Sequence, residues 1–283
     1  MFSRMFVRLL AAAVVIPATA SSQASVPLGT VGPARGYLVL EGGGAPVTAI
    51  FARFVTLAGG KEAKIVVIPT ASAPEPAGDA YLTHLRTRLQ ELLGVQDVTV
   101  LHTRDRGLAD TEAFVAPLQV ASGVWILGGG EERLVAAYLG TRTEREIKVL
   151  LERGGVVGGT SAGAIIQSSY IEAEGDTNYT APIREIMRAH ALGSGFGLLS
   201  NSVVAPHFMQ RGYQASLAKA VASHPDLIGI GIDEGTAVVV HGAQLEIVGN
   251  GGVSIYDGRK HDGRDHIALR RGQKFDLGTK VVE

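Results

Sequence analysis

Short apolar runs recur along this chain at intervals filled by longer amphipathic stretches, and that alternation restricts the fold more than any other feature. Tyr37 to Leu40, Lys64 to Ile68, Val98 to Leu101, Val124 to Leu127 and Val156 to Val157 are rich in Val, Ile and Leu, as strands buried on both faces are. Between them, DAYLTHLRTRLQELLG places Leu82, Leu85, Leu89, Leu92 and Leu93 on one helical face, with Gly94 as a stop signal. Strand and helix in alternation predict an α/β fold, a three-layer sandwich around a mainly parallel, doubly wound sheet. In such a sheet, ligands bind where loops gather at the carboxyl ends of the strands.

Beyond about Ile171 the pattern loosens. Gly, Asn, Thr and Ser accumulate from Asp176 to Ser202, and a helical stretch from Gln210 to Ala222 leads to His224. Asp226 to Ile232, Ala237 to Val240, Leu245 to Val248 and Val253 to Tyr256 read as strands joined by short turns, predicting a meander. No internal repeat is evident, and no later linker divides the chain, so residues 37–283 are expected to form one domain.

The first residues put Arg4 and Arg8 ahead of an apolar run from Leu9 to Ile16, followed by small residues ending at Ala20 or Ala24. This is the pattern of a signal peptide spanning residues 1–24, with a linker over residues 25–36. The apolar run is well short of the ~20 residues that span a bilayer. An exported protein, periplasmic or secreted and with no membrane partner, is therefore expected. Lys and Arg total 26 against 27 acidic residues, a net charge of −1. That balance leaves no broad basic face for nucleic acid. The chain has no cysteine, which excludes disulfides, thiolate metal sites and a cysteine nucleophile. Its chemistry must use oxygen and nitrogen groups.

The strongest local motif is Gly159-Thr160-Ser161-Ala162-Gly163, which follows the apolar pair Val156-Val157 and precedes a helix-compatible stretch. A nucleophile elbow needs small residues flanking a serine on a sharp strand-to-helix turn, with the next N–H aimed at a developing oxyanion. The alternative is that Ser161 is a plain helix N-cap. Among eight histidines, His84, His224, His241, His261 and His266 fall on polar helix faces, in turns or at strand ends. His207 closes the apolar run ending in Ala205-Pro206, and His102 likewise follows a strand, so both stand as candidate bases. Ile228 to Ile232 ends in Asp233-Glu234, where an acid could orient an imidazole or simply form a turn. The order serine, histidine, acid differs from that of α/β-hydrolases, which disfavours a generic esterase. Glu41-Gly42-Gly43-Gly44 and Gly128-Gly129-Gly130-Glu131 offer no Walker lysine, which argues against a nucleotide loop. The second can instead supply a backbone donor opposite Ala162.

Taken together, Glu41–Gly44, Ile68-Pro69-Thr70-Ala71-Ser72, Gly128–Glu131, Gly159–Ala164, Pro206-His207-Phe208 with Arg211-Gly212, and Gly231–Ala237 resemble the cyanophycinase branch of the dipeptidase E serine peptidases. The resemblance covers about Tyr37 to Val240. It implies a class I glutamine amidotransferase-like fold in which serine replaces cysteine, no cofactor or metal, and a homodimer. It further implies Ser161 as nucleophile, His207 as general base and acid, and Glu234 as orienting carboxylate. Gly129 and Ala162 would donate to the oxyanion, with Gly130 as a substitute donor. Gly130, Glu131 and Arg211 would meet a peptide or isopeptide substrate. The pocket departs from the family pattern: Ala205-Pro206 stand where the family carries Asp-Gln, Glu131 where it has glutamine, and Tyr213 and Ser216 where further arginines are expected. A binding module that keeps the elbow without turnover is the competing reading.

Overall fold

The computed structural model describes residues 31–190 and 193–283. The proposed signal peptide, its cleavage points and residues 25–30 of the linker lie outside these. Five buried apolar runs form the parallel core: β1 (Tyr37–Glu41), β2 (Ile65–Ile68), β3 (Val98–Val100), β4 (Gly123–Ile126) and β5 (Val156–Thr160), in the order β1-β5-β4-β2-β3. The crossovers carry α1 (Thr48–Leu57), α2 (Asp79–Leu93), α3 (Arg106–Ala109), α4 (Glu112–Val120), α5 (Glu131–Tyr138) and α6 (Arg142–Glu152). Helix α2 stops at Gly94, whose φ of 65° suits a residue without Cβ. Leu89 and Leu93 are buried, but Leu92, expected on the same face, is 42% exposed because the helix presents a narrower stripe to the sheet.

After β5, α7 (Ala162–Ile165) turns the chain out of the first sheet into β6 (Ser168–Tyr170), α8 (Ala181–Ala189), β7 (Leu199–Pro206), α9 (Phe208–Arg211), α10 (Gln214–Ser223) and β8 (Ile228–Ile232). The chain then closes with β9 (Thr236–His241), β10 (Gln244–Gly249), β11 (Gly252–Tyr256), β12 (Ile267–Arg270), β13 (Lys274–Asp276) and β14 (Val281–Val282). The expected meander does not form. Strands β9 and β10 extend the first sheet antiparallel from β1, followed by β13 and β14, whereas β8 and β11 belong to a second sheet ordered β12-β11-β8-β7-β6. The physical reason is that a hairpin such as β9–β10 satisfies local turn chemistry in either sheet. Its placement depends on which edge has an unpaired neighbour, which periodicity does not record.

Helices α1 and α2 cover one face of the first sheet, where Trp125 packs against Phe51 and Phe54 with ring centroids 5.0 and 4.9 Å apart. The opposite face shares a single apolar core with α4 to α7 and the second sheet: Leu38, Leu40 and Val238 meet the cluster that includes Val204, Ile230 and Ile255. Helix α10 closes the far side of the second sheet through Leu217 and Val221. Residues 31–36, at the end of the stretch expected as linker, are docked rather than free-running. Ser200 N–H donates to the Val31 carbonyl, and Gly32 and Pro33 exchange backbone hydrogen bonds with Gly242. Among the described residues, no helix is long and apolar enough to cross a membrane.

Candidate active site

The carboxyl ends of β5, β7 and β8 converge, and each delivers one polar side chain. Ser161 follows β5 directly with φ 53° and ψ −117°, a backbone region that costs a non-glycine residue about 1–3 kcal/mol. The turn closes because Gly163 sits against the Ile126 carbonyl, which a Cβ would strike, and because Ser161 N–H donates to the Glu41 carbonyl at 3.0 Å. The Ser161 side chain caps nothing. Its Oγ lies 2.8 Å from His207 Nε2, and His207 Nδ1 lies 2.8 Å from Glu234 Oε1. Carboxylate, imidazole and hydroxyl therefore form one continuous hydrogen-bonded line. Glu234 can only accept, so His207 carries its proton on Nδ1 and presents a lone pair to the serine hydroxyl. His207 is itself at φ 136°, so two adjacent members of the line sit on strained backbone.

His102, the rival base, is not at this site. Its Nδ1 hydrogen-bonds Thr70 Oγ1 at 2.9 Å, Nε2 faces Glu75 at 3.7 Å, and burial holds its pKa below the usual value.

The glycine loop after β1, which lacks a Walker lysine, packs against the reacting line instead. A Cβ on Gly43 would overlap the His207 ring, and one on Gly44 would lie 2.8 Å from Glu234 Cβ. Both glycines have φ near +90°. Gly43 O accepts from Gly235 N–H at 2.8 Å, tying this loop to the one that carries Glu234. Asp233, beside it, accepts from Met209 N–H and Gly252 N–H, and so locks α9 and β11 around the imidazole. The only sequence signal for these parts was a glycine triplet at a strand end.

Two backbone N–H groups expected to serve an oxyanion, those of Ala162 and Gly129, donate to no backbone carbonyl among the described residues. Ala162 opens α7, where the first N–H groups have no intrahelical carbonyl. Gly129 stands at φ 142°. Gly130 cannot act as a substitute, because its N–H is taken by the Ala71 carbonyl at 3.1 Å. Gly128 packs directly on the serine, with a Cβ position 3.0 Å from Ser161 Cβ.

A cavity of about 290 Å³ opens between α7, β7 and α10 and reaches Pro206, the residue before His207. Its walls are apolar, with Ile165, Val204 and Pro206 among them, and three acids line it: Glu131, Glu172 and Asp176. Burial raises the Glu131 carboxyl pKa, and Tyr179 OH donates to it at 3.1 Å. Among the described residues, no lysine or arginine lines the cavity. Arg211 stands outside this lining, its Nη1 3.5 Å from Tyr213 OH. Of the three residues expected to meet substrate, Glu131 lines the cavity, Gly130 serves the backbone and Arg211 faces a tyrosine.

The family model described as Peptidase family S51 matches residues 38–248, which is most of the chain. The chain belongs to peptidase family S51. As a member it is a serine-type peptide hydrolase with a mixed α/β fold. It is 35% identical over 254 residues to the cyanophycinase of Nostoc sp. (strain PCC 7120 / SAG 25.82 / UTEX 2576), covering 82% of each chain. It is 31% identical to the cyanophycinase of Geminocystis herdmanii (strain PCC 6308) over 220 residues, 77% of this chain and 78% of that one. Among solved structures, a peptidase from an acI-B1 Actinobacterium superposes with a TM-score of 0.63 at 25% identity, covering 86% of this chain and 97% of that one.

Proposed function

We propose that this S51 peptidase cleaves cyanophycin or a related aspartyl peptide or isopeptide through an acyl-enzyme on Ser161. The observation that carries the reading is the unbroken line Glu234–His207–Ser161, with both hydrogen bonds at 2.8 Å. As the serine oxygen attacks the carbonyl carbon, its proton moves to His207 Nε2. Glu234 stabilises the imidazolium so formed without taking the proton itself. The charge that develops on the carbonyl oxygen is met by Gly129 and Ala162 N–H, and His207 returns its proton to the leaving amine. Water then enters with His207 again as base and releases the acyl group, restoring the hydroxyl. No metal takes part in any of these steps.

The cavity that reaches Pro206 supports a cyanophycin-like substrate. Apolar walls suit the methylene stem of an arginine branch, and Glu131, Glu172 and Asp176 are charge partners for its guanidinium. We also propose that the protein is exported, with a signal peptide removed near Ala20 or Ala24. N-terminal sequencing of the extracytoplasmic protein would read Ser21 or Ser25 as the first residue, and an intact Met1 there would refute it.

The deciding experiment incubates the protein with cyanophycin and with free α- and β-aspartyl dipeptides, taking Ser161→Ala as control and identifying products by mass spectrometry. Release of β-Asp-Arg by the parent protein alone is expected. If cyanophycin stays intact while another aspartyl peptide is cut, the chemistry stands and the substrate does not. If a folded protein cuts nothing, a binding role takes its place.

A further inference from the structure

The Gly129 N–H can serve a developing oxyanion only if its direction is fixed, and Gly129 lies in a loop between β4 and α5. The structure holds that loop from below through one carbonyl. Ala71 O accepts from Gly130 N–H at 3.1 Å and from Arg133 Nη1 at 2.9 Å. Gly129 rests so closely on the Ala71 peptide that a Cβ would strike its carbonyl and come within 2.9 Å of Ser72 N. Arg133 grips both partners: its own N–H donates to the Gly130 carbonyl at 3.2 Å while its guanidinium holds Ala71.

The segment carrying Ala71 is itself immobilised. Ser72 and Ala73 N–H both turn back to the Pro69 carbonyl, and Arg104 Nη2 donates to Ala73 O at 2.7 Å. Beneath it runs a buried hydrogen-bond chain. Thr103 N–H donates to Tyr138 OH at 3.3 Å. The phenol, whose pKa burial pushes up to about 12, stays protonated and shares a hydrogen bond with Thr70 Oγ1 at 2.6 Å. Thr70 Oγ1 also lies 2.9 Å from His102 Nδ1, and the other ring nitrogen faces Glu75 at 3.7 Å. Thr70 and Tyr138 are essentially inaccessible, so each of these bonds lacks a competing water.

We propose that Arg133 is a positioning residue which, by clamping the Ala71 carbonyl to the Gly129-Gly130 turn, fixes the Gly129 N–H toward the oxyanion formed at Ser161. The inference rests on the reading of Ser161 as nucleophile and Gly129 as donor. Removing the clamp leaves the donor present but misdirected, so its cost should fall below the 10²–10³-fold that loss of a whole donor produces.

The test is the second-order rate of labelling by a fluorophosphonate, whose phosphoryl oxygen needs the same donors and which requires no knowledge of the natural substrate. Arg133→Met keeps the stem and removes the guanidinium, and Arg133→Lys restores one donor. Thermal midpoint is read in parallel. Expected are labelling of the parent, none of Ser161→Ala, a roughly tenfold slower rate for Arg133→Met at an unchanged midpoint, and partial recovery in Arg133→Lys. Parent-like labelling of Arg133→Met, or slowing that merely follows a lowered midpoint or is not relieved by lysine, overturns the role of Arg133 and leaves the nucleophile standing. Failure to label the folded parent, or labelling of Ser161→Ala, overturns both.

Discussion

Ser161 and His207 each hold a positive φ that a side chain resists, and the surrounding backbone carries the cost. Such positions leave little room for substitution nearby. Gly43→Ala should be severe, since its φ of 91° disfavours any Cβ and the added methyl would enter the space of the imidazole. A fall of at least about 10²-fold in kcat is expected, following from displacement of a reacting group. A parent-like rate in a steady-state assay would show that the ring can move aside. Glu234→Gln keeps the shape but frees His207 to adopt the wrong tautomer, and should lower kcat by roughly 10³- to 10⁴-fold with little change in KM. Each of the three side chains of this line follows an apolar run, where a parallel sheet gathers its loops. The runs alone leave His102 beside His207 and Asp233 beside Glu234, and the family resemblance chooses between them. Gly43 and Gly44 were not legible in the sequence, because a glycine says only that a side chain is missing and never what occupies its place. His102 is a rival on the same logic, with position favouring His207 only modestly; the structure separates them, His102 bonding Thr70 while His207 bonds Ser161 and Glu234.

At the scale of the element, β1 ends in a charged residue with almost no access to water. Glu41 is 2% exposed, opposite Thr160 across the β1–β5 pair. Burial pushes its carboxyl up to about 7, against a smaller opposing effect from the Thr160 hydrogen bond. The folded state thus binds this proton more tightly than the unfolded chain, whose value is near 4.5. Its stabilising contribution is complete below 4.5 and is lost as pH rises through about 7. Glu41→Gln should remove this loss, gaining up to about 3 kcal/mol over the parent at pH 8 and none at pH 4, at about 1.4 kcal/mol per pH decade. Urea unfolding at the two pH values measures it, and an equal effect at both would contradict the burial argument. Elements such as β1 and α2 could be read directly, the helix even to its glycine stop. The partners of β8, β9, β10 and β11 could not, since alternation specifies a strand and its faces but not the edge it joins.

Across the whole molecule, the two sheets share one apolar core and are laced together by residues 31–33, which bond Ser200 in one sheet and Gly242 beside the other. A chain beginning at residue 37 should therefore melt below one beginning at residue 31, by roughly 3–6 °C for the loss of one to two kcal/mol in a chain of this size. Equal midpoints in calorimetry would show that the lacing contributes nothing. The sequence disclosed the parallel half of the molecule and, of the second sheet, the strands β8 and β11 but not their pairing; β6 and β12 went unread. That second sheet carries two of the three members of the reacting line, His207 after β7 and Glu234 after β8. Ser161 hangs from the first sheet and His207 from the second, while the sole tryptophan, Trp125, is embedded in the first sheet alone. Indole emission and turnover consequently observe different parts of the same body. In a gentle urea titration, hydrolysis should vanish while Trp125 fluorescence is still native-like, because a slip of an ångström between sheets breaks a 2.8 Å hydrogen bond long before it floods the indole with water. Coincident curves would mean that the two sheets never part company short of complete unfolding.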